Sequence, residues 1–463
     1  MERMNNTEAI MWAVEADPAF RSDFANLVIL EGAPDEARIR TKVAQALAAI
    51  PRMRERAIAD PLDLAPPLWA PDPEFDINYH LRKIAVPAPG DERALLDLVG
   101  SIIATPLDRS RPLWEFTLIE GLADGHVALL QQVHHTITDG VGGLKLSLEL
   151  LEFEPHPNAS DPLDTVFPEA APEPVVEPLP SPVTTTTASI EWAIQQVGKA
   201  LDTIAEGVVD RIRHPEQIAT DVAWMREFVA SAQRQVFIRD TARSPFMQRT
   251  SLARHVELAS FPIDPAKKAA HALGGSLNDI FVAAVAGALG RYHVELGQPV
   301  DELRMSMAVS THAESAPDAN AFAPARVLVP VGGTRGTRFQ TIHERLRATR
   351  NEMAVRTAGS LAQLFSPLPD PVIVAMMRQQ AATIDFATSN LRGSPIPLYV
   401  GGQRIVASYP IGPRSGCGLN ITLLSYCDQC MLGCNIDPAV IHDPERFMRC
   451  LHAELDALLA YAS

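Results

Sequence analysis

The sequence predicts an α/β protein of two lobes, and three observations carry that prediction. At 463 residues the chain exceeds what one ordinary core accommodates. The stretch from Pro155 to Pro182 holds nine prolines together with Asp161, Asp164, Glu169, Glu173 and Glu177, and has little apolar periodicity, which marks an exposed, extended linker. On both sides of it, segments of period two alternate with segments of period near 3.6, the signatures of strands and helices. The expected division is an N-terminal lobe over 1–154, a linker over 155–188, and a C-terminal lobe over 189–463 that begins with crossover helices over 189–240.

In the first lobe, Asn26 to Glu31 reads as a strand and Asp35 to Ile50 as an amphipathic helix. Phe116 to Ile119 and Val127 to His135 form a hairpin around Asp124-Gly125, a strong turn dipeptide. Alternation along the second of these strands puts Val127, Leu129, Gln131, Val133 and His135 on one face, and Ala128, Leu130, Gln132 and His134 on the other. A helix is expected from Gly143 to Phe153. After the linker, Ile190, Ile194, Val197, Leu201, Ile204, Val208 and Ile212 draw one apolar stripe along a helix, suited to packing on a lobe. The second lobe follows with strands near Leu303 to Ser310, Arg326 to Val331, Tyr399 to Ala407 and Leu419 to Ser425, and helices over Leu277 to Glu295 and Thr341 to Arg356. No internal repeat is visible.

Composition narrows the function classes. With 47% hydrophobic and 21% charged residues the chain reads as soluble and globular, and no apolar run reaches the 18 or more residues of a membrane span. Met1 to Asn6 has neither the basic start nor the apolar stretch of a secretory signal, so a cytoplasmic location is expected. A net charge of −16 repels phosphate backbones and disfavours nucleic acid as a partner. Five cysteines, four of them within Cys417 to Cys434, do not make a disulfide framework and read as thiols.

The chemistry is concentrated in His134-His135-Thr136-Ile137-Thr138-Asp139-Gly140. Two adjacent histidines followed at this spacing by Asp-Gly arise by chance in such a chain on the order of one time in a thousand. An imidazole takes a proton from a hydroxyl near neutral pH and returns it to a leaving group, a role that needs one histidine, here His135. Asp139 reads as an organiser of the loop or ring, and Gly140 as the residue that permits the sharp turn after it. Adjacent strand residues diverge, so His134 and His135 are poorly placed to share a metal ion, and no metal is expected. Without a Gly-x-Ser-x-Gly elbow, a serine-hydrolase reading has no nucleophile.

With its Leu107-Asp108-Arg109-Ser110-Arg111-Pro112-Leu113-Trp114-Glu115 segment, Leu277-Asn278-Asp279-Ile280, Ser389-Asn390, Pro397-Leu398-Tyr399, Tyr409-Pro410, Gly418-Leu419-Asn420-Ile421 and Ser425-Tyr426, the chain resembles the bacterial wax ester synthase/diacylglycerol acyltransferases, whose hallmark is the His-His-x-x-x-Asp-Gly motif. The likeness runs from about Thr7 to Phe447 outside the linker. It implies a chloramphenicol-acetyltransferase-like fold with the active histidine in a tunnel between the lobes. It also implies acyl-CoA as co-substrate with no resident cofactor, and a diacylglycerol or long-chain alcohol as acceptor, met at a membrane or lipid-droplet surface by peripheral contact. A different acceptor (polyketide, sugar or amine) and a non-catalytic lipid-binding relative are the rival expectations. The chain departs from the family pattern at Leu391-Arg392-Gly393-Ser394, which lacks two prolines, and at His312, which stands where an arginine is common.

Secondary candidates carry two readings each. Ser276-Leu277-Asn278-Asp279 is a helix capping box, which is the plainer account of Asp279, and the resemblance adds Asn278 as an oxyanion or histidine partner, with Asp279 beside it as a second substrate-facing candidate. Ser389 and Asn390 read either as a turn or as hydrogen-bond donors toward substrate. Trp114 shares a strand face with Phe116 and Leu118 and reads as core. Lys267, Lys268, Arg335 and Arg338 are the basic clusters open to coenzyme A phosphates, with solvated surface charge as the plainer account. Cys427, Cys430 and Cys434 have a spacing that suggests zinc, but buried thiols behave as small hydrophobes.

Overall fold

Local signals set most element boundaries. Asp35 accepts hydrogen bonds from Ala37 N and Arg38 N and starts one helix. Ser276 and Asp279 close a reciprocal capping box that starts another. Gly125, at φ +80°, makes the hairpin turn, and Asp124 beside it accepts from His126 N.

The computed structural model describes residues 2–61, 65–137, 150–155, 185–186, 188–192, 194–195, 242–310, 322–350 and 370–462. Its elements before the linker are α1 (Asn6–Val14), β1 (Asp23–Leu30), α2 (Glu36–Ala49), β2 (Glu55–Ile58), β3 (Leu68–Pro71), α3 (Ile77–His80), β4 (Leu81–Ala85), α4 (Glu92–Ala104), β5 (Trp114–Glu120) and β6 (Val127–His134). After it come β7 (His255–Pro262), α5 (Ile263–Ala272), α6 (Leu277–Glu295), β8 (Glu302–Ser310), β9 (Phe322–Pro330), α7 (Arg335–Arg350) and α8 (Asp370–Ala381). The chain then continues through β10 (Phe386–Arg392), β11 (Tyr399–Val400), β12 (Gln403–Ile411), β13 (Leu419–Tyr426), β14 (Gln429–Ile436) and α9 (Pro444–Leu459). Most of the linker, most of the helical stripe after it and the segment from 138 to 149 lie outside the described residues.

Two six-stranded mixed sheets organise the lobes, in the orders β11-β12-β1-β6-β5-β4 and β7-β14-β13-β10-β8-β9. The first sheet is buried on both faces. Val28, Leu30, Trp114, Phe116, Leu129 and Val133 pack against Val43, Ala46 and Leu47 of α2. Ala25, Leu27, Ile119, Ala128 and Leu130 pack against Leu95, Leu96, Val99 and Ile103 of α4. The alternation expected along β6 is thus the division between two cores. Trp114 is fully buried, donates from Nε1 to the Met53 carbonyl at 2.8 Å, and is core.

The second sheet turns one face to helices. Phe386, Leu419, Ile421, Leu423, Cys430, Leu432 and Cys434 share a core with α6, most of which is buried. Each large apolar side chain taken wholly from water there contributes about 1.5–3 kcal/mol. No single described helix is long and apolar enough to cross a membrane. The other face of the sheet meets the first lobe, where Val256 and Leu258 join the core under α4 and polar side chains bond to the chain after β12. Asn420 Nδ2 donates to the Pro413 carbonyl at 2.6 Å, Asn435 Nδ2 to the Gly412 carbonyl at 2.9 Å, and a side chain at Gly433 would collide with the Pro410 carbonyl.

Two expectations need correction. Tyr399 to Ala407 was expected in the second lobe, yet β12 pairs antiparallel with β1, Leu27 opposite Tyr409, and so completes the first sheet. A strand's hydrophobic pattern does not say which edge it joins. The helix expected to run to Phe153 does not reach it, because Glu152 forms a bridge with Tyr399, and its carboxylate holds Arg38 at 2.8 Å and Gly402 N at 2.9 Å.

Candidate active site

Strand β6 ends at His134, and the chain turns at once, with Ile137 N donating to the His134 carbonyl at 3.0 Å. The two histidine side chains leave the strand on opposite faces. His134 is buried at 3% exposure, and both ring nitrogens are engaged: Nε2 lies 2.6 Å from Glu15 Oε1, and Nδ1 lies 2.7 Å from Thr136 Oγ1. Its strand partner across the sheet is Asp23, whose carboxylate accepts from Gln132 Nε2 at 2.8 Å.

His135 keeps part of its surface open. Its backbone N–H donates to the Ser22 carbonyl at 3.1 Å, and its ring lies against Phe24 with centroids 4.7 Å apart. Burial pushes the imidazole down to about 4, helped by the neighbouring His134 and opposed by the Glu15 carboxylate. A ring in that state is a neutral proton acceptor throughout the physiological range.

Glu15, the C-cap residue of α1, was not singled out from the sequence. Burial alone would raise its carboxyl, but the bonds to His134, Ser22 N and Arg109 hold it at about 2, so it is ionised. Ser22 N donates to Oε1 at 2.6 Å, and Arg109 Nη2 reaches Oε2 at 2.9 Å while its guanidinium lies over the Trp12 ring at 4.0 Å. A glutamate 119 positions from its histidine partner carries no local sequence signal. Asp139, Gly140 and His312 lie outside the described residues.

The second lobe brings Asn278 and Asn390 together, with Asn390 Nδ2 donating to Asn278 Oδ1 at 2.9 Å. That contact leaves Asn278 Nδ2 a buried donor with no partner among the described residues. Along β10, Asn390 continues the face of Phe386 and Thr388 that packs on the helices, whereas Ser389 lies in register with Thr422 on the face toward the first lobe. Ser389 and Asn390 are therefore a strand pair pointing opposite ways rather than a turn. Asp279 turns inward and accepts from Ser276 N at 2.7 Å, with His343 Nδ1 at 2.9 Å from the same oxygen. Its carboxylate is a helix cap and is not presented beside Asn278 toward a ligand, which corrects its inclusion among substrate-facing residues.

The basic clusters divide. Lys267 and Lys268 are exposed on α5. Arg335 and Arg338 instead grip Glu454, which is 2% exposed, Arg335 at 2.9 Å and Arg338 by a short bond to the other oxygen. Arg338 is itself buried and ties α7 to α9, so it is not open to phosphate, whereas Arg335 keeps 38% of its side chain exposed beside the same carboxylate. Cys430 and Cys434 are fully buried in the core, and Cys427 makes the turn after β13 at φ +52°. Among the described residues no cluster of metal-ligating side chains occurs.

Residues 4–281 match the wax ester synthase/diacylglycerol acyltransferase catalytic domain, and residues 330–459 match the C-terminal domain of the same proteins. A putative diacylglycerol O-acyltransferase of Mycobacterium tuberculosis is 33% identical over 100% of this chain and 92% of its own length. A second from that organism is 30% identical over 100% of this chain and 98% of its own. Among solved structures, the wax ester synthase/diacylglycerol acyltransferase from Marinobacter aquaeolei VT8 superposes with a TM-score of 0.64 at 22% identity, covering 100% of both chains. The first condensation domain of the calcium-dependent antibiotic synthetase superposes at 0.62 with 16% identity, covering 100% of this chain and 96% of its own. The fold is the two-lobed chloramphenicol-acetyltransferase-like one.

Proposed function

The chain belongs to the wax ester synthase/diacylglycerol acyltransferase family and is an acyl-CoA-dependent acyltransferase, and we propose that it moves a long-chain acyl group onto diacylglycerol, and onto long-chain alcohols, with His135 as general base. The observation that carries the assignment of the base is the division of labour at the motif. Both ring nitrogens of His134 are engaged in a buried site, whereas His135 leaves the opposite face of β6, part open and held neutral by burial. The names of the mycobacterial relatives support diacylglycerol as acceptor.

In the proposed reaction the His135 imidazole takes the hydroxyl proton, and the oxygen attacks the thioester carbonyl carbon. The carbon–sulfur bond breaks, and the imidazolium returns its proton to the departing CoA thiolate, leaving an ester and free CoA. The Asn278 amide supplies a hydrogen-bond donor to the oxyanion of the tetrahedral intermediate, oriented by Asn390. Since diacylglycerol partitions into bilayers and droplets, the acceptor is met by peripheral contact with a lipid surface. Incubation with palmitoyl-CoA and a panel of acceptors tests the reading. Ester products with dioleoylglycerol and hexadecanol, matched by thiol release, are expected. Transfer confined to sugars or amines, or no CoA release with any acceptor, contradicts it.

A further inference from the structure

Glu15 occupies a position that no motif explains. Its Oε1 accepts from His134 Nε2 and from Ser22 N, each at 2.6 Å, and the Ser22 carbonyl accepts the His135 N–H at 3.1 Å. One carboxylate thus holds both the side chain of the residue before the base and the stretch of backbone to which the base itself is bonded. The side chain of Glu15 is 8% exposed, and charge-assisted bonds in such surroundings are about twice as strong as neutral ones.

The hydrogen bonds also assign the His134 tautomer. Thr136 N donates to Nδ1 at 3.2 Å, and a backbone N–H can only donate, so Nδ1 carries the lone pair and Nε2 the proton. The proton on Nε2 is the one that Glu15 accepts at 2.6 Å, so the carboxylate fixes the ring from one side while Thr136 fixes it from the other. Arg109 meets that carboxylate from its outer side, with its own side chain 39% exposed, where water screens it. We propose that Glu15 is a positioning residue of the acyl transfer: acting through His134 and Ser22, it fixes His135 in place and its charge favours the imidazolium that forms when His135 takes the hydroxyl proton. The inference rests on His135 being the base. The arrangement follows the general logic in which a carboxylate orients a histidine, here with one histidine interposed. Among the described residues, the charged and titratable groups facing this assembly are Glu15 from the end of α1, Arg109 from the segment before β5, Asp23 of β1 and His134 at the end of β6.

The test is a double-variant cycle on the full chain, measured with palmitoyl-CoA and dioleoylglycerol. Glu15→Gln keeps shape and removes charge. It is expected to lower kcat about 10–100-fold, leave both KM values within about two-fold, and move the acid limb of the rate profile to lower pH. Glu15→Asp, which keeps the charge, is expected to return that limb toward its wild-type position, and it carries the test if thermal melting shows that Glu15→Gln does not fold. His134→Asn combined with Glu15→Gln is expected to be no slower than His134→Asn alone, because the two act as one unit. Wild-type kcat in Glu15→Gln, an effect on KM alone, or losses that multiply in the double variant overturn the proposal. His135→Ala assayed in the same series separates the two readings. Turnover retained by it defeats the assignment of the base, whereas an inactive His135→Ala beside an unimpaired Glu15→Gln defeats only the role of Glu15.

Discussion

Burial acts differently on the two histidines of the motif. His134 is inside the protein with partners on both nitrogens, and His135 is walled by Phe24 yet retains open surface. A neutral base is the consequence, and it has a measurable signature. An ordinary histidine near 6.5 would leave about one tenth of the base active at pH 5.5. With His135 held at about 4, kcat/KM at pH 5.5 should stay close to its value at pH 7, and a profile that bends near 6.5 would contradict the burial argument. Linkage runs in the matching direction. Because the folded state disfavours the His135 proton, the unfolded chain takes it up first, and stability falls as pH drops from about 6.5 toward 4. Glu15, lowered to about 2, contributes stability that is present above about 4.5 and is lost only below that, so it does not obscure the rate measurement at pH 5.5. The opposite orientation of the histidines was legible from strand alternation alone. Glu15 was not, since neither spacing nor capping distinguishes it from other glutamates at helix ends.

At the scale of elements, capping and periodicity explain most of what forms. Helix α6 begins where Ser276 and Asp279 predict and ends where its apolar run ends, and the β5–β6 hairpin closes at Asp124-Gly125. What eludes a reading of the sequence is pairing across distance. Arg335 and Arg338 look like a basic cluster open to phosphate because their partner, Glu454, stands 116 or more positions away on α9. Gly287 makes room for this contact, since a Cβ there would lie 2.5 Å from Glu454 Oε2. Glu454→Ala leaves Arg338 buried without its counter-charge, which costs about 3–5 kcal/mol. Urea denaturation should show that loss, with palmitoyl-CoA affinity of the folded fraction unchanged. A stable Glu454→Ala protein with weakened affinity would restore the phosphate-site reading.

The whole molecule is two sheets that share one stretch of chain. Two lobes were legible from length, the proline-rich linker and the change of periodicity on either side of it. The exchange of β12 was not, because its alternation suits either sheet, and only its register with β1 reveals which one it joins. That exchange places β12 beside β1, which pairs with the histidine strand, while Asn278, Ser389 and Asn390 belong to the other lobe. A site assembled this way depends on the docking of the lobes, and its chemistry converges on one imidazole. Transfer of labelled palmitate to dioleoylglycerol by His135→Ala, set beside wild type and His134→Ala, therefore tests the account most directly. His135→Ala is expected to lose about 10²–10⁴-fold in kcat while remaining folded, and His134→Ala to lose less. Transfer by His135→Ala at or near the wild-type rate would contradict it.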